Sequence, residues 1–300
     1  MPTDARERLD QYLVRLGWAR SRRAAREMLA RGMVRVNGRV LRKGESVGGG
    51  DTVEIGEASP LPALTPDIDV KIEILFRDPA VLVVNKPAPM ACHPLRPGER
   101  GTVMNGVVAA FPEVAAVGDN PREGGLVHRL DNGTSGALLV ALEPQAFTAL
   151  RQAIRAGAIR RDYQALVAGN IKESLYIEKP LAHDPRNARR VLAVGANAAG
   201  ARPAATAVEP IRRFGNFTLV SARPRTGMRH QIRVHLADAG HPIAGDTLYG
   251  GPSLGALAEG RFWLHLAEIE FRSPVSGPVR VRSPLPRDLE NALKEASRRA

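Results

Sequence analysis

A single cysteine, Cys92, in a chain of 300 residues excludes a disulfide framework and a cysteine-based zinc site, and it suits a reducing compartment. Long apolar runs are also missing. A membrane span needs about 18 consecutive apolar residues, whereas the longest run here, Gly136 to Leu142, is short and follows a polar loop. The N-terminus, MPTDARERLD, mixes acids with bases around no apolar core, so it does not read as a signal peptide. A cytoplasmic protein is expected.

Lysine is scarce as well. It occurs only at 43, 71, 86, 172, 179 and 294, which leaves 37 arginines among the 43 basic residues. A GC-rich coding sequence favours arginine over lysine, but it does not set the formal charge of +12. Arginine's planar fork binds phosphate with two prongs and stacks on bases, so the balance favours a nucleic-acid partner. What the chain does contain, 44% hydrophobic and 25% charged residues, is an ordinary globular composition at a length suited to one large domain and one small one. No internal repeat is present.

The small domain is expected at residues 1–56. Leu9, Tyr12, Leu13 and Leu16 recur at helical spacing, Gly17 ends that helix, and Ser21 can cap a second one reaching about Arg31. Val34 and Val36 alternate into an Asn37-Gly38 hairpin turn with Val40 beyond it, and a last strand covers Thr52 to Ile55. Arg20, Arg22, Arg23, Arg26, Arg35 and Arg39 form a candidate RNA-binding surface on the second helix and the hairpin. A solvated helix face is the plain alternative. The stretch RLDQYLVRLGWARSRRAAREMLARGMVRVNGRVL, followed by a Gly-rich segment and DTVEI, resembles the alpha-L RNA-binding module of a small-subunit ribosomal protein and of several RNA-modifying enzymes.

Three prolines and no periodic apolar face mark residues 57–69 as a linker. Beyond it, residues 70–300 predict strands at Ile72–Phe76, Val81–Val84, Ala137–Leu142, Tyr163–Ala168, Val191–Val194, Phe217–Arg223 and Ile269–Phe271. Helices are predicted at Thr102–Phe111, Pro144–Ala156, Met228–Ala239 and Asp288–Arg299, and a flexible hairpin loop at Gly195–Ala205. Many strands without regular alternation of helices imply an α+β domain on a mixed, largely antiparallel sheet.

Chemistry concentrates at Val127-His128-Arg129-Leu130-Asp131-Asn132-Gly133-Thr134-Ser135-Gly136, a polar loop feeding an apolar strand. A loop held by a rigid strand is a good place for a reactive carboxylate. The same residues are also turn formers, and Thr134 and Ser135 can simply satisfy backbone donors. Spacing alone leaves both readings open.

The run HRLDNGTSGALLVA resembles the central motif of the RluA-type pseudouridine synthases, H-R-L-D-x-x-T-S-G before a hydrophobic strand. Three further stretches match in order: VLVVNKPAPMACHP, RDYQALV around Tyr163, and RTGMRHQIRVHLADAGHPIAGDTLYG. The resemblance covers about residues 70 to 285, and the basic module in front places the chain near the RluC/RluD-like branch. It implies a cofactor-free isomerisation: the C1′ to N1 bond of a uridine breaks, the uracil rotates, and C5 rejoins the ribose, with no metal or redox step. It implies Asp131 as the catalytic residue and Arg233 as its electrostatic partner, since a neighbouring cation keeps a carboxylate ionised. Ile232 and Tyr163 would line the base pocket, Tyr163 also assisting the final proton removal. Arg129 would fill the gap left by the flipped nucleotide.

The family reads T-G-R-x-H-Q-I-R where this chain has Thr226-Gly227-Met228-Arg229-His230-Gln231-Ile232-Arg233. Met228 replaces an arginine and receives no role; Arg229 is expected to point elsewhere on a helix. A metal hydrolase using His128, His230, His235, His241 and His265 is disfavoured: His230 and His235 are five apart and no H-E-x-x-H occurs. A non-catalytic RNA-binding or ribosome-assembly factor is the other alternative. The expected partner is RNA, large-subunit ribosomal RNA ahead of transfer RNA by resemblance, with no membrane, no metal and a monomeric chain.

Overall fold

The computed structural model describes residues 6–41, 44–56, 64–96 and 98–298, and falls into two compact units that divide between residues 63 and 64. In the first, β1 (Glu7–Arg8) leads into α1 (Leu9–Arg15) and α2 (Arg22–Ala30), followed by β2 (Val34–Val36), β3 (Arg39–Val40), β4 (Ser46–Val47) and β5 (Val53–Ile55). Leu9 and Leu13 of α1 meet Ala25 and Leu29 of α2 over Val34, Val36 and Val47, a core of its own. The Ser21 hydroxyl accepts from the Ala24 N–H at 3.2 Å and so caps α2. Asn37 and Gly38 both have positive φ, +50° and +76°, the type I′ turn whose twist joins β2 to β3.

The second unit comprises β6 (Glu73–Arg77), β7 (Val81–Lys86), α3 (Val103–Ala110), β8 (Ser135–Ala141), α4 (Pro144–Arg155), β9 (Arg160–Ala168), β10 (Leu175–Glu178), β11 (Leu181–His183), β12 (Val191–Ala193), β13 (Ala205–Phe214), β14 (Phe217–Pro224), α5 (Gln231–Asp238), β15 (Leu264–Ser273), β16 (Gly277–Arg282) and α6 (Arg287–Arg298). A nine-stranded sheet runs β10-β13-β14-β9-β15-β8-β7-β6, with β16 on β15. Its ladders are antiparallel except for β8 with β15. The architecture is α+β on a mixed sheet, as the sequence implies.

Every residue of β8 is buried, because this central strand is covered on both faces and needs no alternation. Gly136 makes the β8–β15 contact possible: its φ is +124°, and a Cβ would fall 2.3 Å from the Leu266 carbonyl. The loop from Asp131 therefore enters the sheet beside the start of β15.

Several expectations need correction. Residues 228–230 are not helical; α5 starts at Gln231, after His230 in the left-handed region at φ +56°. Residues 64–69, expected in the linker, pack within the second unit: Leu64 is buried, its N–H donating to the Pro121 carbonyl, and Asp67 accepts from the Gly101 N–H. Residues 57–63 of that linker lie outside the described residues. The loop expected at 195–205 ends one residue early, since β13 begins at Ala205. Among the described residues no helix is long and apolar enough to cross a membrane.

Candidate active site

Asp131 occupies the loop before β8, and three buried side chains fasten that loop to the sheet. Lys86, at the end of β7 and fully buried, donates from Nζ to the carbonyls of Pro87 at 2.8 Å and Asn132 at 3.2 Å. Burial lowers its pKa to about 8. Arg261 donates to the Gly133 carbonyl at 2.6 Å and to Ser135 Oγ at 3.0 Å, and is itself paired with Asp288. Cys92 Sγ lies 3.2 Å from the Leu130 carbonyl and 3.3 Å from the Leu130 N. Carbonyls on both sides of the loop thus have fixed donors, so the Asp131 side chain projects from a rigid turn.

Arg233 reaches this carboxylate from the first turn of α5. Its Nη1 donates to Asp131 Oδ2 at 2.9 Å, across 102 positions of sequence. Its other edge is gripped by buried Asp246, with Nε to Oδ2 at 2.7 Å and Nη2 to Oδ1 at 2.8 Å. The rings of Phe262 and Tyr249 lie 4.2 and 5.0 Å from the guanidinium carbon. Burial alone would lower the Arg233 pKa; Asp246 and Asp131 outweigh it and shift the pKa upward, so the guanidinium stays charged. Ile232 beside it is buried in the main core.

The second Asp131 oxygen, Oδ1, accepts no hydrogen bond from the described residues and faces His230 Nε2 at 3.9 Å. Burial pushes the His230 pKa down to about 4, so the ring is neutral near pH 7. Its Nδ1 meets the Tyr249 hydroxyl at 2.8 Å, and that hydroxyl accepts from the Val191 N–H at 3.0 Å. The Arg229 Nε–H donates to His230 Nε2 at 3.4 Å, so the proton of the neutral imidazole lies on Nδ1, donated to the Tyr249 hydroxyl, and no donor is turned toward Asp131 Oδ1.

Tyr163 projects from β9 and is buried within the electrostatic reach of Asp131. Burial raises its pKa to about 12, with Arg161 opposing the rise and Asp131 adding to it. A phenol held at that value stays protonated at neutral pH, which suits a pocket wall. Arg129 is exposed, its Nη1 3.5 Å from Glu123 Oε1. Arg229 does not lie on a helix: it precedes α5 and donates to the carbonyls of Ala188 and Arg189 in the β11–β12 hairpin. Met228 packs against an apolar group of Leu181, Val191 and Val234, and its N–H donates to Gln231 Oε1.

The first unit presents exposed Arg20, Arg22, Arg35 and Arg39, with Arg26 partly buried; the Arg23 side chain lies outside the described residues. Buried Asp10 of α1 binds Arg8, Arg22 and Arg26 at 3.1, 3.1 and 3.2 Å. Burial would raise the Asp10 pKa, but hydrogen bonds from the three arginines hold it down to about 2. Asp10 therefore fixes the bases of the cationic face while their guanidinium groups stay in contact with solvent.

Of the residues the sequence singles out, the structure joins Asp131 and Arg233 directly, while Ile232 packs into the core; the side chains that hold this pair and its loop, Asp246, Tyr249, Lys86 and Arg261, were missed. Asp246 and Tyr249 stand in the GDTLYG segment, where only their presence together with a distant buried arginine signals a purpose.

Comparison with known proteins gives the family. Residues 80–238 match the family described as RNA pseudouridylate synthase, and residues 7–53 match the S4 domain. A ribosomal large subunit pseudouridine synthase D of Xanthomonas campestris pv. campestris is 36% identical over 311 residues, covering 99% of this chain and 92% of that protein. An uncharacterized RNA pseudouridine synthase of Chloroflexus aurantiacus is 35% identical, covering 100% of this chain and 93% of the relative. Human RNA pseudouridylate synthase domain containing 1 shares the fold at a TM-score of 0.59 and 26% identity, over 74% of this chain and 87% of that one. With the family match spanning more than half the chain and these relatives nearly all of it, the chain belongs to the RNA pseudouridylate synthases, enzymes that isomerise uridine to pseudouridine in RNA, and carries an S4 domain in front.

Proposed function

We propose that this enzyme modifies uridines of large-subunit ribosomal RNA in the cytoplasm, acting as a monomer, with Asp131 as the catalytic residue. Relatives named for the large ribosomal subunit support the substrate, and the arginine face of the S4 unit supports a structured RNA. The observation that carries the residue assignment is the one-armed contact of Arg233 with Asp131 Oδ2, which leaves Oδ1 open.

The target nucleotide is drawn out of the RNA stack, since its reacting atoms are inaccessible within it. Arg129, exposed and bound among the described residues by a 3.5 Å contact to Glu123, can swing into the vacated space. The uracil then lies against Tyr163 and Ile232. Attack at C1′ and removal of a ribose proton both require an unprotonated carboxylate oxygen facing the sugar. Oδ1 is that oxygen, while Arg233 balances the charge through Oδ2. Once the C1′ to N1 bond has broken, the uracil turns within the pocket, C5 bonds to C1′, and the proton lost from C5 is balanced by one taken up at N1, which restores the ring as an isomer of the starting uridine.

Asp131→Asn keeps the shape and removes the anion. Pseudouridine formation should fall below detection by mass spectrometry while RNA binding persists; an active Asp131→Asn enzyme would overturn the assignment. Pseudouridine mapping of total RNA from cells lacking the protein should show loss confined to large-subunit RNA, and loss from transfer RNA alone would overturn the substrate.

A further inference from the structure

Among the described residues of the second unit three arginines are buried: Arg161, Arg233 and Arg261 at 8%, 6% and 2% exposure. Arg233 holds two carboxylates and Arg261 holds Asp288. Arg161 has no carboxylate within 4.0 Å among the described residues. Its one hydrogen bond runs from Nη2 to the Thr226 carbonyl at 3.1 Å, and its Nε is buried without a partner. A guanidinium taken out of water with no counter-ion is costly, and one backbone carbonyl does not offset it. The remaining nitrogen, Nη1, makes no hydrogen bond among the described residues and lies beneath exposed Gly227. A Cβ there would approach Nη1 to 3.7 Å and meet nothing else within 4 Å, so the glycine leaves this nitrogen uncovered.

Arg161 and Tyr163 are two residues apart on β9 and therefore project from one face of the sheet, about 7 Å from each other along the strand. Asp162 between them turns to the other face, where it pairs with Arg160 and Arg223. Tyr163 in turn lies within electrostatic reach of Asp131. We infer that Arg161 is a binding site for a backbone phosphate of the RNA next to the target uridine, with the phosphodiester entering over Gly227 and supplying the missing counter-ion. The site rests on the assignment of Asp131 and Tyr163 to the uridine pocket. Nε is fully buried and out of the RNA's reach; Nη1, which makes no hydrogen bond among the described residues, is the nitrogen that a phosphodiester oxygen would meet.

The test measures binding of a short synthetic RNA containing the mapped uridine to the full chain in the Asp131→Asn background, so that it does not depend on turnover. Arg161→Gln should weaken binding about ten- to a hundred-fold, and the slope of log affinity against log salt should become shallower by about 0.7 for the one phosphate released. Arg161→Lys should keep most of the salt slope. Gly227→Leu, which leaves the arginine in place and covers Nη1, should reproduce the loss without altering the core. A neutral methylphosphonate placed singly at each linkage near the uridine should weaken the parent protein at one position and have no further effect at that position in Arg161→Gln or Gly227→Leu. Unchanged affinity and salt slope in both variants, or methylphosphonate losses identical with and without Arg161, would sink the site. If Arg161→Gln fails to fold, Gly227→Leu and the methylphosphonate series on the parent protein decide. Failure of the uridine-pocket assignment shows separately, as pseudouridine formation by Asp131→Asn itself.

Discussion

At the residue scale the site depends on how Arg233 is divided. A guanidinium has two edges, and an arginine with only Asp131 to bind would take both carboxylate oxygens in the two-pronged geometry this pair prefers. Here Asp246 occupies Nε and one N–H of Nη2 at 2.7 and 2.8 Å, the Phe262 ring lies close to the guanidinium, and Asp131 is met by Nη1 alone. In the proposed mechanism Asp246 is a positioning residue: it fixes the guanidinium whose Nη1 holds Oδ2. Asp246→Asn can bond only one edge nitrogen as acceptor and loses the charge that fixes the fork. Single-turnover rates at saturating RNA should drop about a hundred-fold, the cost of a misplaced reacting group, while RNA affinity changes little. Asp246→Glu, one methylene longer, should not restore the rate. A parallel loss of affinity and rate would point to general unfolding of α5 instead.

At the element scale, legibility followed how local the determinants were. Ser21 capping α2, the Asn37-Gly38 turn and the uninterrupted apolar run of β8 were all readable, because each is fixed by its own few residues. The start of α5 was not. His230 takes a left-handed backbone that its type disfavours, and the turn is held by Gln231, whose side chain accepts from Thr226 and from the Met228 N–H. Of the β11–β12 hairpin only β12 was readable; β11 is short, and the residue of α5 that packs against it, Val234, lies about fifty positions later. Asp10 shows the same limit in the first unit, where an acidic residue in a helix otherwise reads as surface. Buried at 2% exposure, it ties α1 to α2 through Arg22 and Arg26. Asp10→Ala should cost about 1.5–3 kcal/mol, the range for hydrogen bonds to a charged group. Amide exchange in the full chain should accelerate in α1 and α2 and stay unchanged in β8; equal protection before and after substitution would remove Asp10 from this role.

At the scale of the whole molecule, the charge of +12 separates into parts with different duties. In the second unit the deeply buried Arg233 and Arg261 are committed to carboxylates, so they add nothing to long-range attraction for RNA. In the first unit, residues 20–39 carry seven arginines against the single acid Glu27, and Arg20, Arg35 and Arg39 are exposed. Each unit also has its own apolar core, so removal of residues 1–63 should leave the second unit folded. Affinity and chemistry then become separable. If the S4 unit contacts two to four phosphates, its removal should make the salt slope of RNA binding shallower by roughly 1.5 to 3, with affinity at physiological salt falling accordingly. The single-turnover rate at saturating RNA should stay within about three-fold, because Asp131, Arg233, Asp246 and Tyr163 all belong to the unit that remains. Binding titrations across a salt series on the two proteins check the first expectation and quenched single turnovers the second. Equal salt slopes would mean that the arginine face of the S4 unit does not hold the RNA, and a rate that collapsed at saturation would mean that this unit also shapes the reacting site.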